Sequence, residues 1–86
     1  MTVHSVTIQL LFFGKLKEIV GSQLRRLEIP AGLSIDGVRL MLSRESNEVL
    51  FDQIPLVYAV NEQFMMGDTV LKEGDELAFM TPMSGG

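Results

Sequence analysis

Val6-Thr7-Ile8-Gln9-Leu10-Leu11-Phe12-Phe13 alternates as a half-buried strand does. Successive side chains of an extended chain point to opposite sides, so Val6, Ile8, Leu10 and Phe12 share one wholly apolar face, the better candidate for a core. The other face runs Thr7, Gln9, Leu11, Phe13 and turns apolar only at its end. Gly14 stops the strand. Lys15 to Val20 predicts a short helical turn closed by Gly21, with Leu16, Ile19 and Val20 spaced to face inward. Leu24 to Ile29 follows as a second strand whose apolar residues do not alternate cleanly, and Pro30-Ala31-Gly32 breaks it.

Ser34 is well placed as an N-cap, its hydroxyl available to a free amide, while Asp36 suits the positive end of a helix. The main helix is predicted from Ile35 to about Ser43 or Glu48. Ile35, Val38 and Leu42 form its apolar stripe, with Leu40 and Met41 widening it or facing a neighbour. Gly37 is a weak point costing roughly 1 kcal/mol against alanine. Leu50, Phe51 and Ile54 are expected to carry the chain across the core to Pro55. Leu56 to Val60 reads as a strand, Asn61-Glu62-Gln63 as turn residues, and Phe64-Met65-Met66 as a short segment. Thr69-Val70-Leu71 leads to a tight turn at Gly74-Asp75 and a last strand, Glu76 to Met80. The order predicts an α+β domain with one main helix packed on one face of a sheet. Residues 1–80 are expected to form the domain and residues 81–86 a flexible tail.

The 86 residues are 47% hydrophobic, enough for one core without metal or disulfide support. With no cysteine in the chain, a disulfide framework, a cysteine zinc site and a thiol nucleophile are excluded. The seven basic residues are scattered rather than gathered on one face, which argues against nucleic acid as a partner. Met1-Thr2-Val3-His4-Ser5 lacks a signal-peptide pattern, and no apolar run approaches the roughly 20 residues that cross a membrane, so a cytoplasmic protein is expected. Glu62, Asp68, Glu73, Asp75 and Glu76 thicken the acidic side of the C-terminal half, which fits either a basic partner surface or a solvated face. No carboxylate pair or Ser/His/Asp set has the spacing of a catalytic site, and His4 reads as a solvated residue. The methionines read as core filler and partner contacts rather than metal ligands, so neither a metal nor a bound cofactor is expected.

Two features remain. Leu11, Phe13 and Met80 fall on the non-core faces of their strands, and Phe64 lies near a turn from which it can join them, making an apolar patch of the kind that marks a partner site. The chain then ends Thr81-Pro82-Met83-Ser84-Gly85-Gly86. Two closing glycines arise by chance about once in 200 chains, and lacking a Cβ they can thread a channel closed to other residues. Six extended residues reach roughly 20 Å, enough to carry the terminal carboxylate into another protein's active site.

Leu11-Phe12-Phe13-Gly14 with Leu16-Lys17-Glu18-Ile19-Val20-Gly21, the central Ala59-Val60-Asn61, and Leu71-Lys72-Glu73-Gly74-Asp75-Glu76-Leu77-Ala78-Phe79 through Pro82 to Gly85-Gly86 resemble the small subunits of molybdopterin synthase, the MoaD-type sulfur carriers. The likeness runs from about Val6 to Gly86. It implies a β-grasp, ubiquitin-like mixed sheet with the last strand central beside the first. It also implies that a MoeB-type activating enzyme adenylates Gly86 with ATP. A sulfur donor such as a persulfide sulfurtransferase then displaces AMP to leave a thiocarboxylate. AMP and sulfur would be carried only transiently, as covalent groups on Gly86. The tail, threaded by Gly85, would deliver sulfur to cyclic pyranopterin monophosphate inside a MoaE-type large subunit, in an assembly of two large and two small subunits. Phe13, Phe64 and Met80 match the positions that the family uses for its apolar contact with that subunit, with Leu11, Pro82 and Met83 beside them. Thr81 departs from the pattern, since a second proline is common there, and tail stiffness is what that affects.

A ThiS-type carrier for the thiamine thiazole and a ubiquitin-like modifier share the implied fold. ThiS-type chains are usually shorter and lack the Phe-Phe-Gly opening and the long central helix region. A β-grasp interaction module with inert glycines is the alternative of another class. It predicts that removing Gly85-Gly86 leaves function intact.

Overall fold

The computed structural model describes residues 4–21, 24–46 and 55–82. Strand β1 (Ser5–Phe12), helix α1 (Lys15–Val20), strand β2 (Leu24–Pro30), helix α2 (Ile35–Ser46), and strands β3 (Val57–Val60), β4 (Gln63–Met65) and β5 (Glu76–Met80) follow in chain order. Among the described residues the strands form one sheet in the order β2-β1-β5-β3-β4. β1 and β5 are parallel and central, and every other neighbouring pair is antiparallel. This is the β-grasp arrangement, with the last strand beside the first.

The core lies on one face of the sheet. Ile8, Leu10 and Phe12 of β1, Leu27 and Ile29 of β2, Tyr58 and Val60 of β3, and Leu77 and Phe79 of β5 are buried there. Ile35, Val38 and Leu42 of α2 close over them, as does Leu16 of α1. The uneven β2 pattern resolves by register: Leu27 and Ile29 face the core, while Leu24, opposite Leu11, is exposed on the other face. Phe79 anchors the centre. Its ring stacks on Phe12 at 5.7 Å and meets Tyr58 edge-on at 5.7 Å. The Tyr58 hydroxyl accepts a hydrogen bond from Arg39 of α2 at 2.8 Å, so the buried phenol keeps a polar partner.

The helix signals act as expected. The Ser34 hydroxyl accepts from the Gly37 amide at 3.2 Å, a side-chain N-cap, and Gly21 ends α1 at φ 89. Met41 packs against the core whereas Leu40 is exposed. Gly37 is more than a weak point. A Cβ there would lie 2.7 Å from Leu33 Cγ, so the glycine lets Leu33 pack down on the first turn. His4 keeps an exposed side chain, but its carbonyl accepts from Ala31 at 3.0 Å, so the backbone there is tied to the loop after β2. Ile19 and Val20 belong to α1, but the expected inward packing of their side chains is not among the features described, and Leu50, Phe51 and Ile54 lie outside the described residues. Among the described residues no helix is long and apolar enough to cross a membrane.

Candidate functional site: an apolar groove at the root of the tail

Among the described residues no helix covers the second face of the sheet, and the side chains on that face follow from register. Leu24, Leu11, Ala78, Ala59 and Phe64 are paired in succession from β2 to β4, so they form one apolar row across all five strands. The adjoining row is polar, Arg26 opposite Gln9 and Gln9 opposite Glu76. On the other side of the apolar row Met80 pairs with Val57. Side chains directly opposite on neighbouring strands share a face and touch, so the boundary between apolar and polar halves is set by pairing alone.

Within this half, Leu11, Phe13, Ala59, Phe64, Ala78 and Met80 line a groove of about 290 Å³, with Glu62 and Glu76 on its rim. The two alanines are its floor; larger residues at 59 and 78 would fill the trough between Leu11 and Phe64. Phe64 is 75% exposed and Phe13 42%, so the largest rings around the groove remain open to solvent. Phe64 also borders a second apolar groove, of about 410 Å³, with Leu56, Val57, Tyr58, Met65, Met66 and Gly67. Exposed aromatics and methionines next to each other are the adaptable anchors of a contact surface.

The hairpin that presents Phe64 is pinned tightly. β3 and β4 are joined by Asn61 and Glu62 at φ 51 and 71, both in the left-handed region. Asn61 is held from three sides. Its amide donates to the Glu76 carbonyl at 2.9 Å, its Nδ2 donates to Asp75 Oδ1 at 3.0 Å, and its Oδ1 accepts from the Glu76 amide at 3.0 Å. Asp75 Oδ2 in turn accepts from the Lys72 amide at 2.8 Å, closing the turn in which Gly74 sits at φ 84. The Gly74 amide donates to Thr7 at 2.8 Å, which binds the turn to β1. The start of β5 is thereby fixed to both its neighbours.

The end of β5 lies at the groove. The Phe13 amide donates to the Phe79 carbonyl at 3.3 Å, which places Phe13 beside Met80, the last residue of the strand. Thr81 and Pro82 follow, exposed. Of the residues expected from sequence, Leu11, Phe13, Phe64 and Met80 are thus brought together, and Pro82 stands two residues beyond Met80. Met83, Gly85 and Gly86 lie outside the described residues. The reading of the methionines as core filler and partner contacts agrees with the exposed Met65 and Met66, whereas Ala59 and Val57 carry no sequence signal of their own. Strand parity places Ala59 opposite Ala78, but only once the pairing of β3 with β5 is known.

A family model, described as the ThiS family, matches residues 10–86. The chain is 36% identical over 85 residues to the molybdopterin synthase sulfur carrier subunit of Drosophila erecta, covering 94% of this chain and 92% of that one. The chain belongs to the ThiS family, among its molybdopterin synthase sulfur carrier subunits. A solved structure described as a putative molybdopterin converting factor, subunit 1, from Pyrococcus furiosus has the same fold, with a TM-score of 0.80 and 17% identity over 91% of this chain and 99% of that one. A protein–protein complex of subunits 1 and 2 of the molybdopterin-converting factor from Helicobacter pylori contains a chain 25% identical, with a TM-score of 0.61, covering 94% of this chain and 100% of that one. Family members are therefore small carriers on a ubiquitin-like fold.

Proposed function

We propose that this chain carries sulfur on Gly86 for molybdopterin synthesis. Residues 1–80 serve as the folded body and residues 81–86 as a flexible tether that takes the terminal carboxylate into partner active sites, in the cytoplasm. The observation that carries this reading is an exposed apolar groove at the root of a Gly-Gly tail, in a chain of this family. A MoeB-type enzyme joins the Gly86 carboxylate to AMP with release of pyrophosphate. That step exchanges a poor electrophile for an acyl group with a good leaving group. The outer sulfur of a sulfurtransferase persulfide attacks the acyl carbon and displaces AMP, giving an acyl disulfide. A second thiol then cleaves its S–S bond, leaving the thiocarboxylate on Gly86 and a disulfide on the sulfurtransferase. Gly85 lets the tail thread the narrow approach, since a Cβ there would widen it.

The loaded tail then enters a MoaE-type large subunit, with Leu11, Phe13, Phe64, Met80, Pro82 and Met83 making the contact that holds the body outside. Sulfur passes to cyclic pyranopterin monophosphate, and two carriers are consumed per dithiolene in an assembly of two large and two small subunits. On its own the chain is a carrier, not an enzyme. The intact mass of the chain after incubation with ATP, the activating enzyme and a sulfur donor tests this. Exchange of one oxygen for sulfur is expected in the full chain and not in one lacking Gly86. An unchanged mass, with an activating enzyme proven on another carrier, would reject the proposal in favour of an inert interaction module.

A further inference from the structure

Glu62 is an unfavoured residue for its position. Two-residue hairpin loops with left-handed backbone at both positions favour Asn-Gly, and Asn61 meets the first requirement while making the bonds that pin the hairpin to β5. Glu62, at φ 71, is exposed and lines the groove beside Phe64. A glycine there would relieve the backbone and leave the Asn61 bonds untouched, so the fold does not call for a glutamate. The groove holds a second carboxylate, Glu76. The Arg26 position on the same face is separated from Glu76 by β1, about 10 Å at two strand spacings. The rim beside the apolar groove is thus acidic.

We infer that Glu62, with Glu76, makes the groove selective for a partner whose apolar knob is framed by lysine or arginine, and that this partner is the large subunit of molybdopterin synthase. The inference rests on the proposed function. A second copy of the chain is disfavoured as occupant, because a two-fold contact on this groove would bring the carboxylates of both copies to one interface. Charges on the rim of an apolar contact act mainly on encounter and partner choice, which is the effect expected here.

Association of the full chain with the large subunit from the same organism, followed by stopped flow at low and at physiological salt, is the test. Glu62→Gln is expected to slow association about three- to tenfold at low salt, with the difference shrinking as salt screens the rim. Its thermal midpoint should match that of the unaltered chain. Glu62→Gly should lose the same association rate while melting higher, which separates the two roles of the position. Association of Glu62→Gln within twofold of the unaltered chain at low salt would overturn the inference and leave the functional reading standing. So would a loss confined to the activating enzyme. If the unaltered chain fails to bind the large subunit, both readings fall, whereas pairing with itself through the groove overturns the inference alone and leaves the chemistry at Gly86 to its own test.

Discussion

At the scale of the residue, the side chains divide into those that build the fold and those that the fold displays. Asn61 is of the first kind. Asn61→Gly keeps the left-handed backbone without strain, so its cost isolates the two side-chain hydrogen bonds to Asp75 and Glu76. A loss of about 1–2 kcal/mol in urea unfolding is expected, and Asn61→Ala should cost more because it adds the backbone penalty. Phe64 is of the second kind. Three-quarters exposed, it contributes little to the core. Phe64→Ala should leave unfolding within about 0.5 kcal/mol of the unaltered chain while weakening the large-subunit complex at least about tenfold, measured by calorimetry. A fold that collapsed on losing Phe64 would contradict its placement on the displayed face.

At the scale of the element, α2 shows how packing overrides propensity. Gly37 near its start invites replacement by alanine, for a gain of about 1 kcal/mol from helix propensity alone. Leu33 occupies the space the new Cβ would need, with its Cγ at 2.7 Å and Cδ1 closer still. Overpacking of this kind costs roughly 1–3 kcal/mol, so Gly37→Ala is expected to lower stability rather than raise it. Pairing it with Leu33→Ala should recover part of the propensity gain, which a double-mutant cycle in urea would measure. β5 shows the same logic in the sheet. Leu77 and Phe79 face the core while Ala78 and Met80 face the groove, so one five-residue strand serves both the core and the contact surface.

At the scale of the whole molecule, the sheet places a rigid apolar surface where the tail begins. β5 is held on both sides by strands, and its last residue, Met80, stands beside Phe13 and opposite Val57. Deleting Gly85 and Gly86 is expected to leave the unfolding transition unchanged, because two residues without side chains have no apolar group to contribute to a core. The same deletion should abolish AMP incorporation by the activating enzyme, followed by mass. A deletion that destabilised the domain would assign the tail a structural role instead.

The sequence by itself determined the order of the two helices and of β1, β2, β3 and β5, but it marks Gln63 as a turn residue and Phe64-Met65 only as a short segment, and β4 forms there through its pairing with β3. Alternation marked the core face of β1, Ser34 marked the start of α2, and Gly21 and Gly74 marked turns, because these signals depend on residues within one or two turns of chain. It also placed Leu11, Phe13 and Met80 off the core, since parity along a strand is a local property. The tertiary structure decided which strands are neighbours. The parallel pairing of β1 with β5 joins segments more than sixty residues apart, and no local pattern encodes that partner. From this pairing, together with those of β5 with β3 and of β3 with β4, follow the floor of Ala59 and Ala78, the row from Leu24 to Phe64, and the acidic rim at Glu62 and Glu76. Each is a relation between strands, fixed when one core face is buried and the opposite faces are brought into register.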